Sequence, residues 1–478
     1  MKKSTTKINL IYNFVYQITV IILPIITAPY ISRMIGPEGL GIYSYNHSIA
    51  LYFTYFAMLG ITNYGNREIA KCTNKTESIN KVFSSIYIIQ LLTAFLTFII
   101  YMIYVLLNLN VNKYVQLIMI LHVCSTMFDL NWLFFGMQEF KLTSIRQLII
   151  KLLSFVMIII FVKGKNDLWI YVLIMSLSYF LSAFSLWVVA LRKVKFVKCK
   201  KEDVVKNIKP ILLLFIPIIA TSVYRFMDKI MIGTFSTMEN VGFYENAEKM
   251  ILISLSLLTA FTTVLLPKIT NMLAIKKKQE GMVLFDKSIE IAICYGMAVG
   301  FGIAAVSADF IPMFFGEEFI PSINISKLIC ITAPLICIST ILRDLYLIPN
   351  EKDCIYIKAV VAGAVVNFVL NVIFINLIGV YGAVVGTITA ELILTSIELI
   401  CSRKEVNLKH IIKNYVIFGC FGIIMYGIIK LIDFKFLSNF AQIYRLVLNI
   451  LIGGLIYSIC CICYFLKNDN MVFRIIKK

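Results

Sequence analysis

The chain has 478 residues, of which 60% are hydrophobic and 15% charged, with a mean hydropathy of +0.88. Soluble domains run at about 45–50% apolar and about 25% charged, so this composition excludes a soluble globular protein and implies a polytopic membrane protein. The formal net charge of +19 fits basic loops that hold topology on one side of a bilayer, and no basic–aromatic module for nucleic acid remains once the apolar segments are set aside.

The chain opens on MKKSTTKINLIYNF, a basic start followed by an apolar run that continues to Ser32. That run exceeds the about 7–15 residues of a signal-peptide core, and no small-residue cleavage site follows it, so it reads as an uncleaved first span. Asn13 and Gln17 share one of its faces at i, i+4. Pro24 and Pro29 each remove a backbone donor and clash with the preceding turn, so the helix is expected to kink or break there. Arg33 follows, then Gly36-Pro37-Glu38-Gly39 as a turn, and Gly41 opens the second helix. Far downstream Phe215-Ile216-Pro217 again interrupts an apolar run, and Val241-Gly242-Phe243-Tyr244 echoes Leu40-Gly41-Ile42-Tyr43. Two matched breaks suggest a two-lobed transporter with Pro24, Pro29 and Pro217 as hinges.

Apolar windows of about 20 residues can cross the bilayer core, and about fourteen are present. They centre near Ile21, Tyr52, Phe95, Met127, Met157, Met175, Ile218, Leu257, Val299, Ile338, Asn367, Ile388, Ile423 and Ile452. Alternate loops hold most of the Lys and Arg, from Lys2, Lys3 and Lys7 through Arg67–Lys81, Lys141–Arg146, Arg192–Lys209, Lys268–Lys278 and Arg403–Lys413 to the last residues. Both termini are therefore expected in the cytoplasm. The basic stretch RKVKFVKCKKEDVVKNIK could lie on anionic lipid if Val194, Phe196, Val204, Val205 and Ile208 shared an apolar face; otherwise it is a solvated topology determinant. Further on, Asp129, Glu139 and Arg146 are echoed by Asp344, Glu351 and Lys358, with equal Glu139–Arg146 and Glu351–Lys358 spacing. The expected fold is all-α and integral to the membrane: two parallel six-helix lobes, plus two C-terminal helices. Residues 1–191 and 210–404 would form the lobes, 192–209 the linker, and 405–478 the last two spans and a cytoplasmic tail.

No P-loop, H-E-x-x-H or G-x-S-x-G pattern occurs, so nothing argues for an enzyme or for ATP hydrolysis by that route. Cys460 and Cys463 form a C-x-x-C without a second cysteine pair or a histidine nearby, and read as apolar thiols, so no metal site is expected. His122, inside a span, could relay protons but reads better as a satisfied core histidine. Ionisable groups within spans are costly in lipid and face a bundle interior or a wet cavity. Asp129, Arg146, Arg225, Asp228 and Arg343, with Asn13, Gln17 and Arg33, are the candidate cavity residues; Asp129 and Glu391 are the candidate ion-coupling acids. Each has a plainer alternative. Arg146, Lys151 and Arg343 could snorkel to the interface, Asp228 could pair with Arg225 or Lys229, and Asn367 and Asn371 could only join helices. Arg225 lies about two turns, roughly 12 Å, beyond Pro217, too deep to snorkel to the cytoplasmic surface, and its guanidinium could hold an anion as a bidentate fork.

Several stretches carry a family resemblance: LPIITAPYISRMIGPEGLGIYSYN, LGITNYGNREIAK, FDLNWLFFGMQEF, and YLIPNEKD with NFVLNVIFI. Over the first twelve spans the chain resembles the Wzx-like polysaccharide flippases, in the superfamily that also holds MATE-type multidrug antiporters and lipid II flippases. The resemblance implies two lobes bundled around a central cavity, in a multi-pass protein of the bacterial plasma membrane. It implies translocation of undecaprenyl-diphosphate-linked oligosaccharide repeat units to the outer leaflet by alternating access, without a bound cofactor but with Na+ or H+ coupling. Polymerase and chain-length proteins of the same pathway are the implied partners. A MATE-type drug or cation antiporter on the same scaffold is the alternative; a membrane polymerase or acyltransferase fits less well, because no long outer loop or histidine motif is present.

Overall fold

In the computed structural model the backbone is described over residues 3–72, 76–108, 112–275, 277–437 and 440–467, with the side chains of 3–22, 76 and 224 outside the description. All regular structure among these residues is helical. Contacts divide the chain into two compact units, Met1–Gly242 and Phe243–Lys478. Asn13 and Gln17, and the terminal lysines used for topology, lie outside the described side chains.

Unit 1 holds α1 (Lys3–Met58), α2 (Ile61–Lys71), α3 (Thr76–Leu107), α4 (Lys113–Phe128), α5 (Asn131–Gly136), α6 (Phe140–Phe161), α7 (Leu168–Lys193) and α8 (Lys201–Phe235). The breaks expected at Pro24 and Pro29 do not occur. Within α1 the backbone leaves helical geometry at Gly36, with φ 67° and ψ −179°. The reason is local. Pro37 pushes the residue before it out of the α region, and glycine takes positive φ without a Cβ penalty. Pro210 and Pro217 likewise sit inside a continuous α8, where the Thr221 hydroxyl donates to the Pro217 carbonyl at 2.8 Å. In an apolar span, unwinding would strip further backbone groups of partners, so a lone proline does not end the helix.

The echoed glycines meet. A Cβ on Gly41 would lie 1.7 Å from the Met238 carbonyl oxygen, and one on Gly242 would lie 2.1 Å from that of Pro37. The start of the second limb of α1 thus crosses the residues after α8 backbone to backbone, which only glycine permits. Elsewhere in the unit, Trp132, Leu133 and Phe134 of α5 are fully enclosed by Phe83 and Ile86 of α3, Ile61 of α2 and Ile211 of α8. The basic linker runs extended over residues 194–200 and becomes helix at Lys201. Asn80 and Ser84 accept from the Lys195 and Val197 amides at 2.9 Å each, and Phe196 lies against Phe83, Tyr87 and Trp187. The single amphipathic face sketched for this stretch therefore does not form. The unit boundary falls at Gly242, one helix after that linker.

Unit 2 holds α9 (Met238–Ala274, whose first residues belong to unit 1), α10 (Lys278–Phe315), α11 (Ser322–Ile329), α12 (Thr332–Leu342), α13 (Asp353–Ile378), α14 (Val380–Ser402), α15 (Leu408–Ile432) and α16 (Gln442–Lys467). α10 is its spine: Ile289, Ala292 and Ile293 are fully buried, and α12, α15 and α16 pack on it. Arg445 of α16 bridges Asp309 of α10 at 3.0 Å and Asp433 at 3.2 Å. α13 and α14 form a hairpin turned at Gly379, φ 62°.

Among the described residues, 11 helices are long and apolar enough to cross a membrane, or 12 if the α11–α12 pair, bent by 44°, is one span. They coincide with the third to fourteenth expected centres. The first two expected centres, Ile21 and Tyr52, both fall on α1, which is not among these helices, so the total of about fourteen is not established by them.

Candidate functional site

The polar features of unit 1 converge where α4 breaks into α5. Asp129 leaves the helix with φ −73° and ψ 112°, and its Oδ1 accepts from the Asn131 amide at 2.8 Å and from Asn131 Nδ2 at 2.6 Å. This Asx turn starts α5 without a proline or glycine. Gln90 of α3, fully buried, completes it. Its Nε2 donates to the Thr126 and Asp129 carbonyls at 2.8 Å each, and its Oε1 accepts from the Trp132 indole at 2.8 Å. One amide thus satisfies the carbonyls freed by the break. Gln90 is absent from the sequence-derived candidates; the available signal was an amide inside an apolar run.

Arg146 of α6 reaches inward, with Nη2 donating to Asn131 Oδ1 at 3.0 Å and Nη1 to Ser185 Oγ of α7 at 3.4 Å. It is half-buried and does not simply snorkel. A cavity of about 600 Å³ opens beside this cluster, walled by Thr62 and Asn63 of α2, His122 and Ser125 of α4, Asp129 and Asn131 at the break, Lys151 of α6, and Tyr179 and Ser182 of α7. His122 is buried at this wall, stacked on Tyr179 at 3.9 Å and on His47 at 5.4 Å, yet its Nδ1 has no hydrogen-bond partner. The expectation of a satisfied core histidine is corrected: the ring is packed, but one nitrogen is unsatisfied. The cavity combines a cation, a carboxylate, amides, hydroxyls and flat aromatic faces, a lining suited to a large polar ligand.

Not every candidate joins it. Arg33 and Arg225 are exposed and do not wall the cavity, whereas Asp228 and Lys229 are buried. Arg225 stands within electrostatic reach of Tyr55, which does wall the cavity. Pro24, Pro29 and Pro217 lie within helices and outside the lining.

Unit 2 has a polar cluster of its own. α12 ends in one π-helical turn, Arg343–Leu347. On it the Arg343 Nε donates to Asp344 Oδ1 at 2.7 Å, Asp344 Oδ2 accepts from Thr262 Oγ1 at 2.8 Å, and the guanidinium lies 5.5 Å from the Tyr356 ring centre. Arg343 is thus bound in place. Asn371 donates to Asn367 at 3.2 Å, and α14 makes room with Gly386, whose Cβ would fall 2.2 Å from Asn371 Oδ1. Glu391 is buried on the same helix. Glu398, two turns further along the same face, is fully buried, and neither carboxyl oxygen makes a well-formed hydrogen bond; Ser339 and Arg343 are its polar neighbours. Glu398 is absent from the sequence-derived candidates, although its i, i+7 spacing from Glu391 was the available signal.

The family described as polysaccharide biosynthesis protein matches residues 7–273. A Shigella dysenteriae protein whose name assigns it to O-antigen transport is 23% identical over 400 residues, covering 82% of this chain and 98% of its own. A Haloferax volcanii protein named as a low-salt glycan biosynthesis flippase is 25% identical over 247 residues, half of each chain. Among solved structures, an inward-facing multidrug resistance MATE family transporter of the MOP superfamily aligns with TM-score 0.56 at 12% identity, over 80% of this chain and 97% of its own; that likeness concerns the fold.

Proposed function

The chain belongs to the polysaccharide biosynthesis protein family, whose match takes in more than half of it, and from that premise we propose that it is a flippase for lipid-linked oligosaccharides. The substrate class is an undecaprenyl-diphosphate-linked repeat unit, moved from the inner to the outer leaflet of a bacterial plasma membrane by alternating access. It is a transporter, not an enzyme. The observation that carries this reading is the unit 1 cavity, where Arg146, Asn131, Asp129 and Lys151 gather inside apolar helices. Sugars and a diphosphate cannot cross hydrocarbon unaided; a wet cavity with an arginine at its edge offers hydrogen bonds and countercharge. Asp129 and Glu391 are the proposed acids for Na+ or H+ coupling. Pro24, Pro29 and Pro217 are the proposed flexing points, and both termini are proposed to lie in the cytoplasm. Polymerase and chain-length proteins are its proposed partners.

The test follows lipid-linked oligosaccharide reaching the outer leaflet in depleted cells, read with an impermeant lectin, alongside drug susceptibility. Expression of the chain should restore outer-leaflet appearance. Restored drug resistance with no change in flipping would favour the antiporter alternative and refute the flippase reading.

A further inference from the structure

A second opening in unit 1 lies against the first. Between α6 and α7 runs a groove of about 700 Å³, with Leu142, Ile145 and Ile149 as its apolar wall and Arg146 and Ser185 at its base. Ile150 borders both this groove and the polar cavity, and Arg146 in the groove donates to Asn131 in the cavity wall. The two openings therefore share one wall, and Arg146 stands in it. α6 carries long apolar side chains turned outward, with Ile149 58% exposed, so the groove faces the lipid side of the helix. Lys141 is exposed at the same end, and Glu139, the one acid in the lining, is held in an ion pair with Lys193.

We propose that this groove receives the polyprenyl chain of the substrate while its diphosphate is held at Arg146, so that the lipid tail leaves unit 1 laterally between α6 and α7. The inference rests on the flippase reading and adds a path to it. The chemistry is one of halves. A polyprenyl diphosphate needs an apolar channel, a cation at the channel's end and a polar chamber beyond it for sugars, in that order. Groove, Arg146 and cavity stand in that order. The bond from Arg146 Nη1 to Ser185 is long at 3.4 Å, and a phosphate oxygen in the groove would compete for that edge of the guanidinium.

The test uses the full chain in phosphatidylcholine nanodiscs and a polyprenyl diphosphate carrying a diazirine in its isoprenoid chain, with labelled peptides mapped by mass spectrometry. The label is expected on α6 and α7 around Ile145, Ile149 and Ser185, competed by unlabelled polyprenyl diphosphate and not by phosphatidylglycerol. Ile149→Trp fills the groove from an exposed position and should lose most of the label and the flipping at normal membrane level. Ile160→Trp, exposed further along the same helix, should leave both intact. Label on other helices, undiminished label in Ile149→Trp, or equal competition by phosphatidylglycerol would overturn the groove assignment, the last marking it as a site for ordinary membrane lipid. Wild-type flipping alongside any of these leaves the flippase reading standing; a wild-type chain that neither flips nor labels removes both.

Discussion

Gln90→Leu tests the central construction of the site. The substitution keeps the volume of the side chain and removes two donors and one acceptor from a fully buried position. The Thr126 carbonyl keeps a weak bond from the Asp129 amide at 3.4 Å, so the groups stranded outright are the Asp129 carbonyl and the Trp132 indole N–H. A buried polar group left unsatisfied costs about 1–3 kcal/mol. Asp129 borders the cavity, where water can reach it, which places the sum at about 2–4 kcal/mol. For a unit of this size that is a fall in Tm of about 5–15 °C. Thermal unfolding of detergent-solubilised protein, followed by intrinsic fluorescence, measures it. Flipping should drop further than stability alone explains, since the Asp129–Asn131 turn that receives Arg146 loses its brace. Trp132→Phe, which removes only the indole donor and strands Gln90 Oε1, should fall between wild type and Gln90→Leu. A Tm within 1 °C of wild type with unchanged flipping would refute the claim that Gln90 holds the α4–α5 break.

Three further outcomes follow from the same geometry. Arg146→Lys should reach the membrane at normal level but flip poorly, because an ammonium cannot hold Asn131 and a phosphate oxygen in one fork; wild-type flipping in Arg146→Lys and Arg146→Ala would remove it from the site. Gly242→Ala drives a Cβ toward the Pro37 carbonyl and should destabilise by about 1–3 kcal/mol, read as lost thermal stability, whereas an unchanged Tm would mean the crossing is looser than drawn. Outside the spans, hydrogen bonds from Lys352 and Lys278 hold Glu405 down to about 2 from 4.5. A lowered carboxyl stabilises fully above its unfolded value and loses that contribution as pH falls, so the Tm gap between wild type and Glu405→Gln should be constant down to pH 4.5 and close from there toward pH 2; a gap that widens on acidification would reverse the assignment.

The helices were legible because lipid demands long apolar runs, and runs of that length are delimited by charged loops. Faces were not legible. A span that is apolar nearly all round gives no periodic sign of which side meets protein, so Gln90 passed unmarked, and nothing in the sequence separated Arg225, which is exposed, from Arg146, which reaches the cavity wall. Proline misled for a related reason. Its cost is set by what the freed backbone groups can find, and inside α1 and α8 the helix outlasts Pro29 and Pro217, while a glycine before Pro37 gives way. Asp129 and Arg146 were legible as costly polar residues within spans, but their convergence depends on α4, α6 and α7 meeting, which no single-chain spacing reports.

The internal echo shows the same limit at the scale of one residue. Equal acid-to-base spacing aligned Glu139 with Glu351. The backbone aligns Gln138, φ 61°, with Glu351, φ 56°, and the helix starts Phe140 with Asp353, both pairs 213 apart. Glu139 then corresponds to Lys352, and the two make the same bridge with the charges exchanged: Glu139 to Lys193 at the end of α7, Lys352 to Glu405 just past α14. What repeats is a clamped left-handed turn before a helix, and either polarity clamps it. In that register Arg146 corresponds to the buried Ala359. Unit 1 thus carries an arginine where unit 2 carries a methyl group, and the matched bases of the sequence echo, Arg146 and Lys358, fall on different faces of their helices. An anionic headgroup engaging this position has one unit to choose, and it is the one with both the groove and the polar cavity at its arginine.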